Sequence, residues 1–510
     1  MRIARSARTA RRPGQILVLF VILLVALLGM LGLVIDCGLL MATHRKTQNA
    51  ADSAATAAAM DLMRGQSAAV ARAKAQQFAL TYYGVTLADA DVRIPPTTGP
   101  YAGNASFVEV VASHTYESHF IQVTGAASTH AVSARAVAGY EPVSSGEGAI
   151  VLDPRATRAG LVFNGVNTRL QVKGTVVVNN GGSGVDQYGQ PISTSLGTTN
   201  QPAVVTSNTA ISDPTQAYVR ADAVLVRGGV DQPLNFRDII DPANSPSPLY
   251  AGMGMSPDPL RTLPVPVVTN TYPSPTSTTA TGTIPAKYPS LSVSTGQTVT
   301  FNPGVYADIN ITGGTVVFRS GIYVFAPDSN NQGLRISGGT TTSEAGGVMF
   351  YFGASTYQDG GSPGSLDIAD GAFDGPLPPT NGSYTLPADA NSVRQATLAI
   401  AGSSGSVTLE GYAYNTSDPN DRILFFARRR NQDPNGNTSL YSIGGSGSGN
   451  MALDLKGTIY SKWASFSLSG GGTYNAQFIV GSLTLGGGAT ITINGTGINR
   501  GRANQVFLVE

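Results

Sequence analysis

Residues 16–35 read ILVLFVILLVALLGMLGLVI, a run of apolar residues and glycine that carries no charge. At a helical rise of about 1.5 Å per residue, the run is long enough to cross the hydrocarbon layer of a bilayer, which is about 30 Å thick. The run therefore predicts a transmembrane helix. The side chains expected to face lipid and anchor the chain include Ile16, Leu23, Leu27 and Ile35.

The segment before this run, residues 1–15, is basic and has no acidic residue. Its positive charges are Arg2, Arg5, Arg8, Arg11 and Arg12. Positive charge next to a span favours the cytoplasmic side of the membrane. We therefore expect a single pass through a membrane, with residues 1–15 in the cytoplasm and the bulk of the chain outside it.

A cleaved signal peptide is the main alternative for this segment. Its apolar core normally has about 7–15 residues and ends in a small-x-small cleavage site. Here the core is longer, and residues 34–38 read VIDCG, which favours retention as a helix. Asp36 before Cys37 also argues against lipidation of that cysteine. Cleavage after Gly14 by a prepilin-type peptidase stays open, although the acidic residue that pilins carry a few positions later is absent.

The composition points to an exported, turn-rich protein without a nucleic-acid partner. Only 12% of the residues are charged, against about 25% in ordinary soluble domains, and the chain contains 61 Gly and 30 Pro. Apart from its N-terminal arginines the chain is mildly acidic, so it lacks a basic surface for phosphates. A single cysteine allows neither an internal disulfide nor a multi-cysteine zinc site.

Residues 36–140 predict a small α+β module. The helix should continue from the membrane to about Met63, through the Ala-rich stretch 49–59, and a second helix is expected over 67–83 before Gly84. Strands are expected at 107–111 and 132–138. The small Ala face predicts either association with a partner helix or packing within its own domain.

The N-terminal part resembles TadG-like proteins of the Flp (tight adherence, Tad) pilus assembly system. The resemblance covers about residues 10–140: the Gly14-Gln15 start, the apolar span, the exit IDCG at 35–38, and TQNAADSAA at 47–55. Phe120-Ile121 and VSARAVA at 132–138 also resemble the aromatic stretch and the closing strand of the family. Thr47 stands where the family usually has Leu, and Ser53 where it has Ala. The motif residues are Asp36, Gln48, Asn49, Ala50, Ala51 and Asp52.

The resemblance implies a role in pilus assembly and contacts with other Tad pilus proteins through the Ala-rich helix. It also implies that the membrane is the bacterial cytoplasmic (inner) membrane, with the bulk of the chain in the periplasm or outside the cell. Several relatives also carry a von Willebrand A domain, with a metal site on Asp-x-Ser-x-Ser. The chain has no such pentapeptide, so this site is not carried over.

Residues 141–510 predict a mainly β domain. Short strands alternate with Gly turns, and INITGG at 309–314 is echoed by LRISGG at 334–339. Repeats of about 17–25 residues favour a right-handed parallel β-helix, with a β-sandwich as the alternative. Residues 243–290, rich in Pro, Ser and Thr, interrupt the rhythm as a linker or a long excursion, and 359–391 is a second candidate insertion.

Sequence patterns that would indicate a catalytic site are weak in this domain. Asp359, Asp367, Asp370 and Asp374 lie in a Gly/Pro-rich stretch, and GGSPG at 360–364 lacks the strand and helix of a nucleophile elbow. We expect Asp418, Asp421 and Arg422 to form a structural turn. Residues 428–430, RRR, are expected at a solvated loop tip. Histidine occurs only at His44, His114, His119 and His130, outside this domain.

These observations predict a non-catalytic, membrane-anchored component of Tad/Flp pilus assembly or surface adhesion, without cofactor or metal. Its expected partners are the membrane, other Tad pilus proteins, and envelope or surface polysaccharide. A membrane-tethered polysaccharide-processing enzyme is the alternative from another class. A third reading is an adhesin that uses the TadG-like module only as its anchor.

Overall fold

The computed structural model divides the chain into two units. Unit 1 comprises Met1–Pro142 and Asn504–Glu510, and unit 2 comprises Val143–Ala503. The structure describes residues 13–63, 66–124, 127–142, 147–156, 158–165, 167–192, 201–206, 218–238, 247–261, 263–268, 272, 274–279, 287–357, 393–415, 421–432, 440–444, 451–488, 490–495 and 504–509.

Unit 1 packs two helices on an antiparallel sheet. Helix α1 covers Pro13–Met63 and α2 covers Ala68–Tyr83, which confirms both helices expected from the sequence. The Ser67 side chain caps the start of α2 by accepting the N–H of Val70, and Gly84 ends it with a left-handed backbone. The sheet has the order β1-β2-β3-β31, with β1 (Val92–Arg93), β2 (Phe107–Glu117), β3 (Thr129–Pro142) and β31 (Asn504–Leu508).

The Ala face of α1 is buried inside unit 1. It contacts α2 and strands β2 and β3, and its small side chains let these elements approach closely. Of the two alternatives that the sequence left open, the structure adopts packing within the same domain. The fully buried residues of this face are Ala50, Ala51, Ala54, Ala55, Ala58 and Ala59.

The end of the chain returns to unit 1 as strand β31. It pairs antiparallel with β3, and Asn504 lies opposite Pro142, the last residue of that strand. The two residues between which unit 2 is inserted in the sequence are therefore neighbours in one sheet.

Unit 2 consists of short strands, all paired in parallel in its main sheet. They are β4 (Glu147–Val151), β5 (Leu161–Asn164), β6 (Arg169–Lys173), β7 (Thr175–Val178), β10 (Val204–Val205), β11 (Tyr218–Ala221), β12 (Ala223–Val226), β13 (Phe236–Asp238), β14 (Leu249–Ala251), β15 (Leu291–Val293), β16 (Thr298–Phe301), β17 (Gly304–Tyr306), β18 (Ile309–Ile311), β19 (Thr315–Phe318), β20 (Gly321–Phe325), β21 (Gly333–Ile336), β22 (Thr340–Ser343), β23 (Val348–Phe352), β24 (Thr397–Ile400), β25 (Ser406–Glu410), β26 (Ile423–Ala427), β27 (Tyr441–Gly444), β28 (Ala452–Ser469), β29 (Gly472–Gly486) and β30 (Thr490–Asn494). A separate antiparallel pair is β8 (Gly184–Val185) and β9 (Pro191–Ile192).

The parallel pairings form three ladders, and from β15 to β25 each strand pairs with the third strand after it. Ladder I runs β17-β20-β23-β26-β28-β29-β4-β7-β12-β14. Ladder II runs β15-β18-β21-β24-β27-β28-β29-β5-β10. Ladder III runs β16-β19-β22-β25-β28-β29-β30-β6-β11-β13. The long strands β28 and β29 take part in all three ladders.

The order of the ladders shows that the chain enters this stack in its middle. From β4 the chain builds outward to β14 at one end, and then restarts with β15 at the other end. From β15 it returns repeat by repeat until β29 and β30 lie beside β4 and β6. A segment must therefore cross the whole stack between β14 and β15. Nine strand-to-strand steps of about 4.8 Å make this distance about 43 Å.

Residues 252–261 and 263–268, here called the crossing segment, follow this route along ladder I. Their contacts advance along the ladder: Met253 N–H donates to the Val226 carbonyl in β12, and Ser256 exchanges two hydrogen bonds with Asn179, just after β7. Further on, Tyr357, after β23, donates to the Pro266 carbonyl. The crossing segment, which is part of the Pro-rich interruption of the sequence, thus lies against the strands.

Alternating side chains give ladder I two buried faces. Tyr323, Phe325 and Phe350 point into the main core, whereas Val324 and Met349 point outward and pack in a second core with the crossing segment. Aromatic rings stack along the main core, for example Phe325 on Phe352 at 5.5 Å between centroids. Strands buried on both faces are therefore apolar throughout, as VMFYF at 348–352 illustrates.

The Gly-Gly repeats lie at turns that stack on one another. Gly314 and Gly339 both have φ of +79°, and a Cβ on Gly339 would lie 2.4 Å from the Gly314 carbonyl oxygen. Gly296 has φ of +86° in the corresponding turn beside β15, but a Cβ there would meet no atom within 4 Å. Glycine is required at the stacked positions by space as well as by conformation.

We predict that Gly339→Ala destabilises unit 2 more than Gly296→Ala. Both substitutions force alanine into a left-handed backbone, at about 1 kcal/mol. Only Gly339→Ala also places a methyl group against the turn below it, which adds about 1–3 kcal/mol. Urea unfolding of the full chain in detergent, followed by the fluorescence of Trp463, the single and buried tryptophan, measures the difference. Equal losses would contradict the stacking.

Candidate functional site

Asp36 lies where the apolar run ends and is bound by a loop from the sheet. Its carboxylate accepts the backbone N–H groups of His119 (3.0 Å), Phe120 (2.9 Å) and Ile121 (2.7 Å). These residues follow β2 and enter a short 3-10 helix, Ile121–Thr124. A motif residue of the exit thus attaches the hairpin of β2 and β3 to the anchoring helix.

The three hydrogen bonds replace the hydration that the Asp36 carboxylate loses where it is buried.

Gly32, one turn before Asp36, gives the loop room to reach the helix. A Cβ on Gly32 would lie 2.7 Å from Cβ and Cγ of Phe120, a distance that real contacts do not reach. Gly32 and Asp36 are both buried although their neighbours on the helix are exposed. Gly32 therefore allows the close approach, and Asp36 holds it.

The second motif of α1 binds strand β3. Gln48 Nε2 donates to Asp52 Oδ1 at 2.7 Å and to the Arg135 carbonyl at 3.4 Å. Ala50 and Ala51 are fully buried, whereas Asn49 is exposed. The motif therefore combines a polar tie to the sheet with the small side chains that let the sheet approach.

The two departures from the usual family motif are accommodated locally. Thr47 is fully buried and its hydroxyl donates to the Thr43 carbonyl at 2.9 Å. The Ser53 hydroxyl lies 2.9 Å from the hydroxyl of Tyr83, the last residue of α2. Ser53 thus adds a contact between the helices that an alanine would lack.

Glu109 is a buried carboxylate on the other side of the same sheet. It accepts a hydrogen bond from Arg135 Nε at 2.8 Å and from the Thr97 backbone N–H at 3.0 Å. Burial raises the pKa of Glu109, but the hydrogen bonds from Arg135 and Thr97 and the positive charge of Arg135 lower it overall. Its hydrogen bonds with Thr97 and Arg135 fasten the segment around Thr97 to the sheet.

The residues predicted to anchor the chain lie on the exposed part of α1. Leu23, Leu27 and Ile35 are 54%, 56% and 40% exposed, as expected of side chains that face lipid. Among the described residues, one helix, Leu17–Met63, is long and apolar enough to cross a membrane. The side chain of Ile16 and the basic residues Arg2, Arg5, Arg8, Arg11 and Arg12 lie outside the described residues.

Most of the residues of unit 2 that the sequence analysis considered for catalysis are not among the described residues. Asp359, Asp367, Asp370, Asp374, Asp418 and the sequence GGSPG at 360–364 lie outside the described residues. Arg422 pairs with Glu410 at 2.5 Å. Within the described ranges no group of three or more His, Cys, Asp or Glu side chains is placed to hold a metal ion.

The expectation of a solvated loop tip at residues 428–430 is wrong. Arg428 and Arg429 are each only 1% exposed. Arg429 donates to the carbonyl oxygens of Leu260 (2.5 Å) and Leu263 (2.8 Å) in the crossing segment, and to the Tyr460 hydroxyl (3.1 Å). The acceptors come from parts of the chain far from Arg429 in sequence, which is why the local pattern of three arginines suggested solvent.

Asp258 of the crossing segment completes this buried cluster, which the sequence analysis missed. Its carboxylate accepts the Tyr460 hydroxyl at 2.7 Å and faces Lys462 Nζ at 3.4 Å, with both charged side chains at most 5% exposed. Lys462 also lies over the ring of the buried Trp463. Since opposite charges and a hydroxyl fill the cluster, its role is to fix the crossing segment on ladder I.

We predict that Asp36→Ala releases the loop without unfolding unit 1. Loss of the charged acceptor should accelerate hydrogen exchange at the amides of His119, Phe120 and Ile121 by about tenfold or more. Exchange of the full chain in detergent, followed by mass spectrometry, measures it. Glu117→Ala, which removes an exposed carboxylate close to the same loop, is the control and should leave the rates unchanged. Unchanged exchange in Asp36→Ala would contradict the assignment.

A known family matches the part of the chain that contains Asp36 and Gln48. Residues 14–61 match the model of the family described as putative Flp pilus-assembly TadE/G-like, which confirms the predicted resemblance over those residues. The match spans the apolar run, Asp36 and the segment from Gln48 to Asp52. No curated protein and no solved structure matches the chain. In its N-terminal segment, therefore, this chain is similar to the TadE/G-like proteins of Flp pilus assembly.

Proposed function

We propose that this chain is a non-catalytic, single-pass component of bacterial Tad/Flp pilus assembly or surface adhesion. The observation that carries the proposal is the family match at residues 14–61, which falls on the one described helix able to span a membrane. The motif residues Asp36 and Gln48 lie on this helix and attach it to the β2–β3 hairpin of unit 1, and Asp52 accepts a hydrogen bond from Gln48. Residues 1–15 lie in the cytoplasm in this proposal, and the anchor lies in the cytoplasmic membrane.

We infer further that unit 2 is an exported parallel β-helix. Three ladders of parallel strands, joined by β28 and β29, support this architecture, because the strands of a β-sandwich pair antiparallel. Such a stack offers a long, repetitive surface to pilus subunits or to envelope and surface polysaccharide. The Ala face of α1 is already covered within unit 1, so contacts with other Tad pilus proteins would use other surfaces.

The proposed orientation predicts where the end of the chain lies. Alkaline phosphatase, which is active only outside the cytoplasm, should be active when fused after Glu510. The same enzyme fused before Met1 should be inactive and serves as the control. An active N-terminal fusion with an inactive C-terminal one would overturn the topology.

The role of unit 2 can be tested without disrupting the sheet of unit 1. Because Asn504 lies opposite Pro142, residues 143–503 can be replaced by Asn-Gly, which closes β3 and β31 into a two-residue hairpin. In a strain lacking the gene, we expect this variant to restore surface pili, counted by electron microscopy, but not attachment of cells. The full chain, expressed at the same level, should restore both.

Other outcomes are equally informative. Loss of pili with a stable hairpin variant would place unit 2 in assembly rather than adhesion. Unaltered pili and attachment in the strain lacking the gene would contradict the proposal. Release of sugars from envelope polysaccharide by the purified full chain would favour the enzymatic alternative instead.

A further inference from the structure

We propose that residues 118–122, the loop held by Asp36, lie in the lipid headgroup region with Phe120 against the acyl chains. Unit 1 would then contact the bilayer through a second element besides α1. This inference rests on the proposed membrane anchorage and adds a lipid-binding surface to it.

The position of Phe120 along the helix is the first argument. Its side chain packs on Gly32, which belongs to the apolar run and precedes the end of that run by three residues, about 4.5 Å. At this level Phe120 is 47% exposed, and the neighbouring Ile121 is partly exposed. An apolar ring exposed beside a membrane span is placed where lipid, not water, surrounds the helix.

The apolar surface of α1 also continues beyond Asp36. Leu39 and Leu40 are each 38% exposed and Met41 is 65% exposed, and the next basic side chains are Arg45 and Lys46. Asp36 and its loop therefore lie within the apolar stretch of α1 and not beyond it.

Donors of the loop form hydrogen bonds within the protein, as a position near lipid requires. The N–H groups of His119, Phe120 and Ile121 all donate to Asp36, and Gln122 donates to the Ser118 carbonyl. Non-helical backbone near lipid is tolerated only when its hydrogen bonds are made within the protein. The Asp36 charge is in turn shielded from lipid by the loop, since Asp36 is only 5% exposed.

The adjoining ends of β2 and β3 carry amphipathic rings. Tyr116 stacks on His130 with 5.5 Å between ring centroids. Tyrosine is enriched at membrane interfaces, because its ring is apolar and its hydroxyl is polar. Glu117 and His119 are exposed beside them, which suits the headgroups but not the acyl chains. The occupant of this surface is therefore the lipid interface, which is continuous with the span itself.

Tryptophan fluorescence in bilayers with brominated lipids tests the proposal on the full chain. Trp463, the single native tryptophan, is replaced by phenylalanine, and Phe120→Trp is introduced. Bromine near the headgroup end of the acyl chains should quench Phe120→Trp more than bromine near the bilayer centre does. Leu27→Trp, in the middle of the apolar run, should show the reverse preference.

Tyr82→Trp is the matched control. Tyr82 is 68% exposed, and its neighbour Tyr83 contacts Ser53, about 25 Å along α1 from Asp36, so it should not be quenched. His119→Trp, at another exposed loop position, gives a second reading if Phe120→Trp fails to fold. Quenching of Leu27→Trp with none at residues 119 and 120 would overturn the loop proposal and leave the anchor intact. Absence of quenching at Leu27→Trp would overturn the anchor as well.

Discussion

A carboxylate buried beside an apolar helix is stable only where donors compensate its lost hydration, and Asp36 meets this condition with three backbone N–H groups. The rest of unit 1 follows from that contact. The loop that supplies the donors connects β2 and β3. Further along α1, Gln48 donates a second hydrogen bond to the hairpin, at the Arg135 carbonyl in β3. The helix and the hairpin are thus held together at Asp36 and at Gln48. The buried Ala side chains of α1, which follow Gln48, allow the two elements to pack closely.

Unit 2 has a different constraint, which arises from the order of its strands. A stack that the chain enters in the middle requires a segment that crosses from one end to the other. This segment must bury apolar side chains against ladder I while its own backbone, which is not in a ladder, finds partners. Arg429 binds two of its carbonyl oxygens, and Asn179, Tyr357 and Tyr460 bind others of its polar groups. Buried polar side chains on ladder I therefore serve the crossing segment.

The similarity to TadE/G-like proteins falls within unit 1. The match ends at residue 61, within α1, and the hydrogen bonds of Asp36 and Gln48 lie inside the same unit. Unit 2 is inserted between paired strands of unit 1, where Asn504 lies opposite Pro142. The part of the chain that is similar to the family can therefore be tested apart from unit 2.

Local patterns were sufficient for the apolar span, for α1 and α2, and for a unit of short strands with Gly turns. Each of these depends on neighbouring residues: an uncharged run of membrane length, Ser67 and Gly84 as helix caps, and Gly-Gly at turns. The return of β31 to unit 1, the crossing of the stack and the burial of Arg429 were not predictable. They depend on contacts between residues far apart in the sequence, such as Arg429 and Leu260, which are 169 positions apart. The energy of such contacts is absent from any local stretch of sequence and arises only when the chain is folded.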